Sequence, residues 1–117
     1  MKRSLLFALV LAACTAQEPT PPADLISRGT FVQVLADVQM IEARINHRIR
    51  VDQRTDSTAQ RYYDGLYAER KITKDQYART YQWYTEHPEQ MKSVYEEVLV
   101  ELGKRLKGNP ILLLAAL

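Results

Sequence analysis

A regular stripe of apolar residues between positions 91 and 106 constrains the fold of this chain more than any other feature. Its members recur every three or four residues, which places them on one face of an α-helix. They are Met91, Val94, Tyr95, Val98, Leu99, Leu102 and Leu106. Pro88 suits the first position of this helix, because the donor that proline lacks would be unpaired there, and Gly108 closes the helix. The stripe predicts a helix that buries one continuous apolar face against other helices.

Capping signals mark the starts of two further helices. Ser27 lies between Ile26 and Phe31, the arrangement of an N-cap serine within a hydrophobic staple, and apolar residues continue at helical spacing to position 45. Thr73 and Gln76 form the pattern of a capping box, in which each side chain bonds the backbone of the other residue. Both patterns predict helices that begin at these residues.

Aromatic residues dominate the two middle helices. A second helix is predicted from Asp56 or Ser57, either of which can cap it, to about Arg70. The third helix, after the capping box, places three tyrosines on the face predicted to be buried: Tyr77, Tyr81 and Tyr84. No segment alternates apolar and polar residues as a strand would. We therefore predict an all-α protein, a small bundle of about four helices.

The first thirteen residues have the order of an export signal. A basic pair, Lys2 and Arg3, precedes an apolar run at 5–11 that is far shorter than the roughly 20 residues of a membrane-spanning helix. The sequence Leu-Ala-Ala-Cys that ends at Cys14 resembles the bacterial lipobox, after which the signal is cleaved and the cysteine is acylated. The alternative is an ordinary signal peptide whose cleavage region contains a cysteine by chance.

Cys14 is the only cysteine, so it cannot close a disulfide within the chain. Acylation would give it another role, because each buried methylene of an acyl chain adds about 0.8 kcal/mol of membrane affinity. We expect a lipid-anchored protein of the bacterial cell envelope that is tethered to a membrane and does not span it. Thr15 stands where aspartate is the familiar inner-membrane retention signal. It therefore favours the outer membrane and leaves the periplasmic or surface side open.

The predicted organisation follows from these boundaries. Residues 1–13 form the signal peptide, 14–23 the lipidated cysteine and a proline-rich spacer, 24–107 the helical domain, and 108–117 an apolar C-terminal tail. The tail is too short to span a bilayer. It is expected either to fold back over an open apolar groove of the bundle or to dock into a partner or a membrane surface.

The charge balance argues against a nucleic-acid-binding protein. The chain has 16 Lys and Arg and 14 Asp and Glu, and loss of Lys2 and Arg3 with the signal leaves 14 of each sign. Binding to nucleic acid requires an excess of basic residues. Two basic clusters are interpreted as solvated helix ends, with a phosphate or anionic-lipid site as the alternative. They are Arg44, His47, Arg48, Arg50 and Arg54, and Lys104, Arg105 and Lys107.

Several short motifs in the predicted domain occur in a recognisable combination. They are Val-Leu-Ala-Asp ending at Asp37, Glu42 followed by alanine, Leu-Tyr at 66–67, and Tyr-Thr-Glu-His-Pro-Glu from Tyr84 to Glu89. Together they resemble the lipoproteins of domain-of-unknown-function family 4296 over about 24–106. The apolar tail departs from the polar ends of such proteins. The resemblance implies an exported, all-helical lipoprotein of Gram-negative bacteria, and it implies no activity.

The residues give little support for an enzyme. His47 and His87 are the only histidines, lie on different predicted elements and lack the spacing that sets two metal ligands on one helical face. Asp37 and Glu42 diverge by about 140° around one helix, so they are poor partners for shared acid–base chemistry. We predict no catalytic site, no metal and no cofactor.

A few polar and aromatic residues remain as candidates for binding or structural roles. His87 is predicted to cap the fourth helix or to bond a tyrosine such as Tyr84, with binding or proton transfer as the alternative. The tyrosines are interpreted as core, with a carbohydrate or peptide groove as the alternative. Trp83 and Tyr62 lie off the main stripes and are the first candidates for a binding face. Ser57 lies in Asp-Ser-Thr, which resembles O-glycosylated sequences of exported proteins, although it is also a candidate helix cap.

These observations predict a membrane-tethered, non-catalytic helical module that binds another envelope protein. One competing prediction is a carrier of lipid or a small ligand, which needs an apolar cavity between the helices. The other is an enzyme using His87, which needs polar groups such as Asp37 and Glu42 around the same pocket.

Overall fold

Four α-helices make up the fold. The computed structural model describes residues 17–52 and 58–109, and within them the chain forms no strand, which confirms the predicted all-α class. The helices are α1 (Arg28–Asp52), α2 (Thr58–Arg70), α3 (Lys74–Thr85) and α4 (Pro88–Gly108). Among the described helices, none combines the length and the apolar character needed to cross a membrane. The predictions on Cys14, Ser57 and the segment 110–117 lie outside the described residues.

The chain runs along α1 and then back beside it. α2 is antiparallel to α1, because Tyr63 near its start bonds Glu42 and Arg70 at its end bonds Asp37. α3 continues in the same direction as α2 and brings Tyr84 toward the beginning of α1. Two shorter helices therefore return along one long helix.

α4 then runs parallel to α1. Arg28 at the start of α1 bonds Ser93 at 2.7 Å, and Asp37 farther along bonds Arg105 at 2.7 Å. α1 packs against both α2 and α4, and α4 also packs against α3. The long first helix is thus the central element of the bundle.

Local chemistry starts α1 and α3 where it was predicted. The carbonyl of Ser27 accepts the first helical bond of α1 from the Phe31 amide at 2.8 Å, and Ile26 and Phe31 are buried in one cluster. The Ser27 hydroxyl itself donates to the Thr30 hydroxyl. Thr73 forms the full capping box of α3, since its side chain accepts from the Gln76 amide and its own amide donates to the Gln76 side chain, both at 3.0 Å. α4 begins at Pro88 and ends at Gly108, as predicted.

The core has two clusters, one at the start of α1 and one around its middle. The larger cluster joins α1, α3 and α4: Ile26, Phe31, Val32, Leu35, Ala36, Tyr84, Val94 and Val98. The smaller cluster joins α1 and α2: Val34, Ile41 and Leu66. Thr80 is also fully buried, although no pattern in the sequence predicts it. Its hydroxyl donates to the Gln76 carbonyl at 2.7 Å and accepts from the Ile26 amide at 3.1 Å, so it ties α3 to the approach of α1.

Two residues that were predicted to be buried are exposed. Tyr81 is 40% exposed and Leu99 is 69% exposed, and Val100 beside it is 60% exposed. Both predictions were wrong because helical spacing does not say how wide a face the neighbouring helices cover. Leu99 lies about 100° around α4 from the buried Val98, and Tyr81 lies about 60° around α3 from the buried Tyr84.

Candidate binding surfaces

Asp37 is the centre of a part-buried ion network that joins three helices. Its carboxylate accepts two bonds from Arg70 of α2, at 2.7 and 3.1 Å, and one from Arg105 of α4 at 2.7 Å. Arg105 also donates to Gln33 at 2.8 Å and to Glu101 at 3.1 Å. The Asp37 side chain is only 16% exposed. This carboxylate is engaged in holding α1, α2 and α4 together.

The environment of Arg105 corrects an interpretation made from the sequence. Arg105 was placed in a basic cluster at a solvated helix end. Its side chain is 22% exposed and pairs with both Asp37 and Glu101. Arg70 is the other cation of the network, and hydrogen bonding to Asp37 raises its pKa. Both arginines therefore have a structural partner on α1.

Glu42 belongs to a separate contact on the same helix. Its carboxylate accepts a hydrogen bond from the Tyr63 hydroxyl, on the side of α1 that faces α2. Asp37 and Glu42 thus bind different partners and share no proton donor or acceptor. Burial raises the pKa of Tyr63 above its ordinary range, and the bond to Glu42 raises it further.

His87 and Trp83 form a stacked pair at the α3–α4 junction. Their rings are 3.9 Å apart with an interplanar angle of 16°, and the His87 Nδ1 lies 2.7 Å from the Trp83 carbonyl oxygen. Because a carbonyl only accepts, Nδ1 carries the proton in this bond. His87 occupies the N-cap position of α4, but its side chain makes no capping bond. The predicted side-chain cap was therefore wrong, and the imidazole bonds the Trp83 backbone instead of a tyrosine side chain.

His87 lies far from the two carboxylates named with it. It precedes the first turn of α4, whereas Asp37 contacts Arg105 about five turns later, which corresponds to roughly 27 Å along the helix. Among the described residues, no three of His, Cys, Asp and Glu come together in a group that could hold a metal ion. These three polar candidates occupy separate surroundings.

Trp83 and Tyr62 are half-buried and lie against the core. Trp83 meets the ring of Tyr84 edge-on at 4.9 Å and packs against the larger cluster. Tyr62 packs against the smaller cluster. Tyr84 is 1% exposed, which makes it the best-buried aromatic side chain after Phe31 among the described residues.

The other tyrosines form a continuous aromatic strip across α2, α3 and α4. The ring centroids of Tyr63 and Tyr67 are 6.3 Å apart, those of Tyr67 and Tyr77 are 6.1 Å apart, and those of Tyr77 and Tyr81 are 6.1 Å apart. The hydroxyl groups of Tyr81 and Tyr95 of α4 interact, which contributes to the raised pKa of Tyr95. These five residues are called the aromatic strip below. Most of its rings are partly covered, and Tyr81 is its exposed member.

Leu99 extends the aromatic strip on α4. It lies one helical turn after Tyr95, so the two side chains are neighbours on the same face. Sequence periodicity assigns Leu99 to the core, and no local pattern distinguishes it from Val98 or Leu102. Tyr81 and Leu99, which both neighbour Tyr95, are called the exposed apolar patch below, and the exposed Val100 follows about 100° farther around α4.

A cleft of about 550 Å³ opens where α4 ends. Met40 and Ile41 of α1 and Leu66 of α2 are its apolar lining. The remaining lining is polar or belongs to the end of α4: Asp37, Arg44, Glu69, Arg105, Gly108 and Asn109. A second cleft, of about 530 Å³, lies between Gln17, Glu18 and Pro19 and the residues of the α3–α4 junction. Residues 17–19 of the spacer therefore lie beside that junction.

The fold and these surfaces define the class of the protein as a small all-α bundle whose part-buried charges pair with one another. The chain belongs to the family described as Domain of unknown function (DUF4296), which matches residues 22–107. This match confirms the resemblance carried by the motifs around Asp37, Glu42 and His87. Comparison with curated proteins and with solved structures found no match.

The aromatic strip predicts a loss of stability at alkaline pH. Burial raises the pKa of Tyr77 to about 12, and it also raises the pKa of Tyr67 and Tyr95. An unfolded tyrosine loses its proton near pH 10, so between about pH 10 and 12 only the unfolded chain is deprotonated and folding becomes less favourable. Below pH 10 both states are protonated and the effect disappears. We expect Tyr77 alone to account for about 2 kcal/mol at pH 12 after allowance for its partial exposure.

Urea unfolding of the parent protein and Tyr77→Phe at a series of pH values measures this effect. The phenylalanine variant keeps the ring and lacks the titrating group, so its stability should match the parent at neutral pH and fall less steeply above pH 10. Parallel pH profiles for the two proteins would contradict the prediction.

Proposed function

We propose that this protein is a lipid-tethered, non-catalytic adapter of the bacterial envelope that binds another envelope protein through the exposed apolar patch. The observation that carries the proposal is the 69% exposure of Leu99 on an ordered helix. A leucine that becomes fully buried at an interface contributes roughly 2 kcal/mol through removal of its apolar surface from water. A partner that covers Leu99 would gain this contribution.

The composition of the patch supports a protein partner. Tyr81 and its neighbour Tyr95 offer ring faces together with hydroxyl groups, and tyrosine is enriched at protein interfaces for this reason. Leu99 adds aliphatic surface on α4, the helix that is held by both α1 and α3. A surface on such a helix needs little ordering when it binds, which lowers the entropic cost of association.

The proposed lipid anchor is inferred from the lipobox-like sequence that ends at Cys14. Acyl chains on this cysteine would hold the bundle at a membrane, with the proline-rich spacer between them. Confinement near the membrane raises the effective concentration of the bundle toward partners in the same membrane, so a small patch becomes sufficient for association. The outer membrane remains the proposed location, on the basis of Thr15.

The cleft at the end of α4 favours a second candidate function, the carriage of a lipid or small ligand. Its volume of about 550 Å³ lies within the range of ligand pockets. Its lining alternates apolar residues such as Met40 and Leu66 with charged residues such as Asp37 and Glu69. An enzyme using His87 has less support, because Asp37 and Glu42 have other partners.

A photo-crosslinking amino acid at Leu99 tests the adapter function in the full chain within living envelopes. We expect one major protein adduct from this position and none from Gln60, an exposed position near the start of α2. Cys14→Ala should abolish the adduct if the tether brings the two proteins together. Adducts to lipid, or the same mixture of proteins from both positions, would contradict the adapter and favour the carrier.

Substitution of the same residue gives an independent measure. Leu99→Asp should weaken co-purification of the identified partner at least tenfold, whereas Gln60→Asp adds the same charge elsewhere and should leave it unchanged. Because Leu99 is exposed, its substitution should change the free energy of unfolding by less than about 0.5 kcal/mol. Loss of binding without loss of stability is the expected result.

A further inference from the structure

The two halves of α1 are covered to different extents. In the first half, Phe31 and Leu35 pack against α3 and α4 through Tyr84, Val94 and Val98. In the second half, Ile41 packs against Leu66 of α2, and the partly buried residues around this pair also come from α1, α2 and the start of α3. The second half of α1 and α2 therefore form a helical hairpin without the α4 cover that the first half has.

The second half of α1 lacks this cover because α4 is too short to reach it. Helix α4 runs parallel to α1 and reaches Asp37 through Arg105, one turn before its end at Gly108. The cleft begins at this level, with Met40 and Ile41 on one side and Leu66 on the other. In the part of the chain that the structure describes, no third element continues along the hairpin beyond this point. The cleft occupies the place that a longer α4 would fill.

The chain leaves α4 beside this cleft. Asn109 lines it and has an extended backbone, with φ of −142° and ψ of 98°. Pro110 follows, which prevents simple continuation of the helix. The next seven residues, 111–117, are Ile-Leu-Leu-Leu-Ala-Ala-Leu. An entirely apolar segment is thus attached at the mouth of the cleft.

The segment 111–117 is long enough to reach along the cleft. Seven residues extend about 10 Å as a helix and about 23 Å as an extended chain. The cleft residues of α1 run from Asp37 to Arg44, which corresponds to about 10 Å of helix. The segment can therefore reach the whole apolar lining in either conformation. It has no charged side chain, so it would contact Met40, Ile41 and Leu66 and leave the paired charges at the rim in place.

We propose that residues 111–117 bind back into the cleft at the end of α4. There they pack against the α1–α2 hairpin on the side that α4 is too short to cover. This binding removes the apolar side chains of the segment and the partly exposed Met40 of the cleft from water. Ile41 and Leu66 are already buried, at 7% and 4% exposed, and the segment would cover what remains accessible of them. It also occupies the cleft that a carried ligand would need. The proposal concerns a surface different from the exposed apolar patch, so it stands or fails independently of the adapter function.

A photo-crosslinker at Leu113 of the purified full-length protein tests this directly. We expect one adduct within a single chain, mapped by mass spectrometry to the peptides that contain Met40 or Leu66. The same probe at Lys92, an exposed residue near the start of α4, is the control and should not reach these peptides. Adducts between two copies of the chain, to detergent or lipid, or to other peptides of the same chain would overturn the proposal.

Hydrogen exchange provides a second measurement that does not depend on the probe. Leu113→Asp should accelerate exchange of the Leu66 amide by about tenfold, because local opening of the α1–α2 hairpin becomes easier when residues 111–117 no longer pack against it. Exchange of the Val94 amide in the larger cluster should not change. Equal exchange at Leu66 in the parent and the variant would overturn the proposal, even if the adapter partner still binds.

Discussion

Replacement of Tyr84 with alanine should lower the free energy of unfolding by about 4 kcal/mol, the range for removal of a large aromatic side chain from a core. Tyr84 is 1% exposed, and its ring stacks on Phe31 with centroids 4.7 Å apart. The ring also meets Trp83 edge-on at 4.9 Å. The substitution removes both contacts and leaves a cavity where α1, α3 and α4 meet. Urea unfolding followed by circular dichroism measures the loss.

Tyr81→Ala is the matched control for this prediction. Both residues are tyrosines on α3, one turn apart, and both were predicted from the sequence to be buried. Because Tyr81 is 40% exposed, its substitution should cost less than about 1 kcal/mol. Similar losses for the two variants would mean that the larger cluster does not end at Tyr84.

Asp37→Ala should destabilise the protein by about 3 kcal/mol. The carboxylate is 16% exposed and accepts bonds from both Arg70 and Arg105. Its removal leaves two part-buried guanidinium groups without their shared counter-charge, and removal of one partner of a buried ion pair costs a few kcal/mol for this reason. The loss should be visible in urea unfolding and should depend only weakly on salt, because the network is shielded from solvent.

Asp75→Ala removes an aspartate that also pairs with an arginine but lies at the surface. Asp75 bonds Arg79 at 2.8 Å within α3, and its side chain is 77% exposed. Exposed pairs of this kind contribute less than about 1 kcal/mol. If the Asp37 and Asp75 variants lost equal stability, the network of Asp37 would be no stronger than a surface pair.

The starts of the helices could be predicted because their causes are local. The capping box of Thr73 and Gln76 needs only residues three positions apart, and Pro88 acts through its own missing donor. Such signals are independent of how the helices later pack. The family resemblance was likewise carried by short contiguous motifs, and the match over residues 22–107 confirms it.

The partners of Asp37 could not be predicted from the sequence. Arg70 is 33 residues away and Arg105 is 68 residues away, and no pattern in a single chain pairs charges over such separations. One signal was available, since Asp37 lies between the buried Val34 and Ile41 on α1. An acidic residue next to a buried face needs a cation. The sequence indicates this need without indicating which arginine meets it.

The sequence also could not predict how much of the apolar face of α4 is buried. Helical periodicity predicts which residues share a face, but the neighbours decide how much of that face is covered. Leu99 follows the buried Val98, about 100° farther around α4, and the buried face of the helix ends between them. The backbone conformation at the end of α2 could not be predicted from the residue type either. Lys71 adopts a positive φ of 55°, a position where glycine or asparagine is the usual signal.

The parallel arrangement of α1 and α4 has a consequence for the order in which the chain can fold. The core around Phe31 includes Val94 and Val98, more than 60 residues later, so α1 lacks these partners until most of the chain has been made. Loops of this length close slowly relative to local helix formation. For a chain exported as proposed, a core that is completed only late in synthesis would leave less time for the domain to fold before it crosses the membrane.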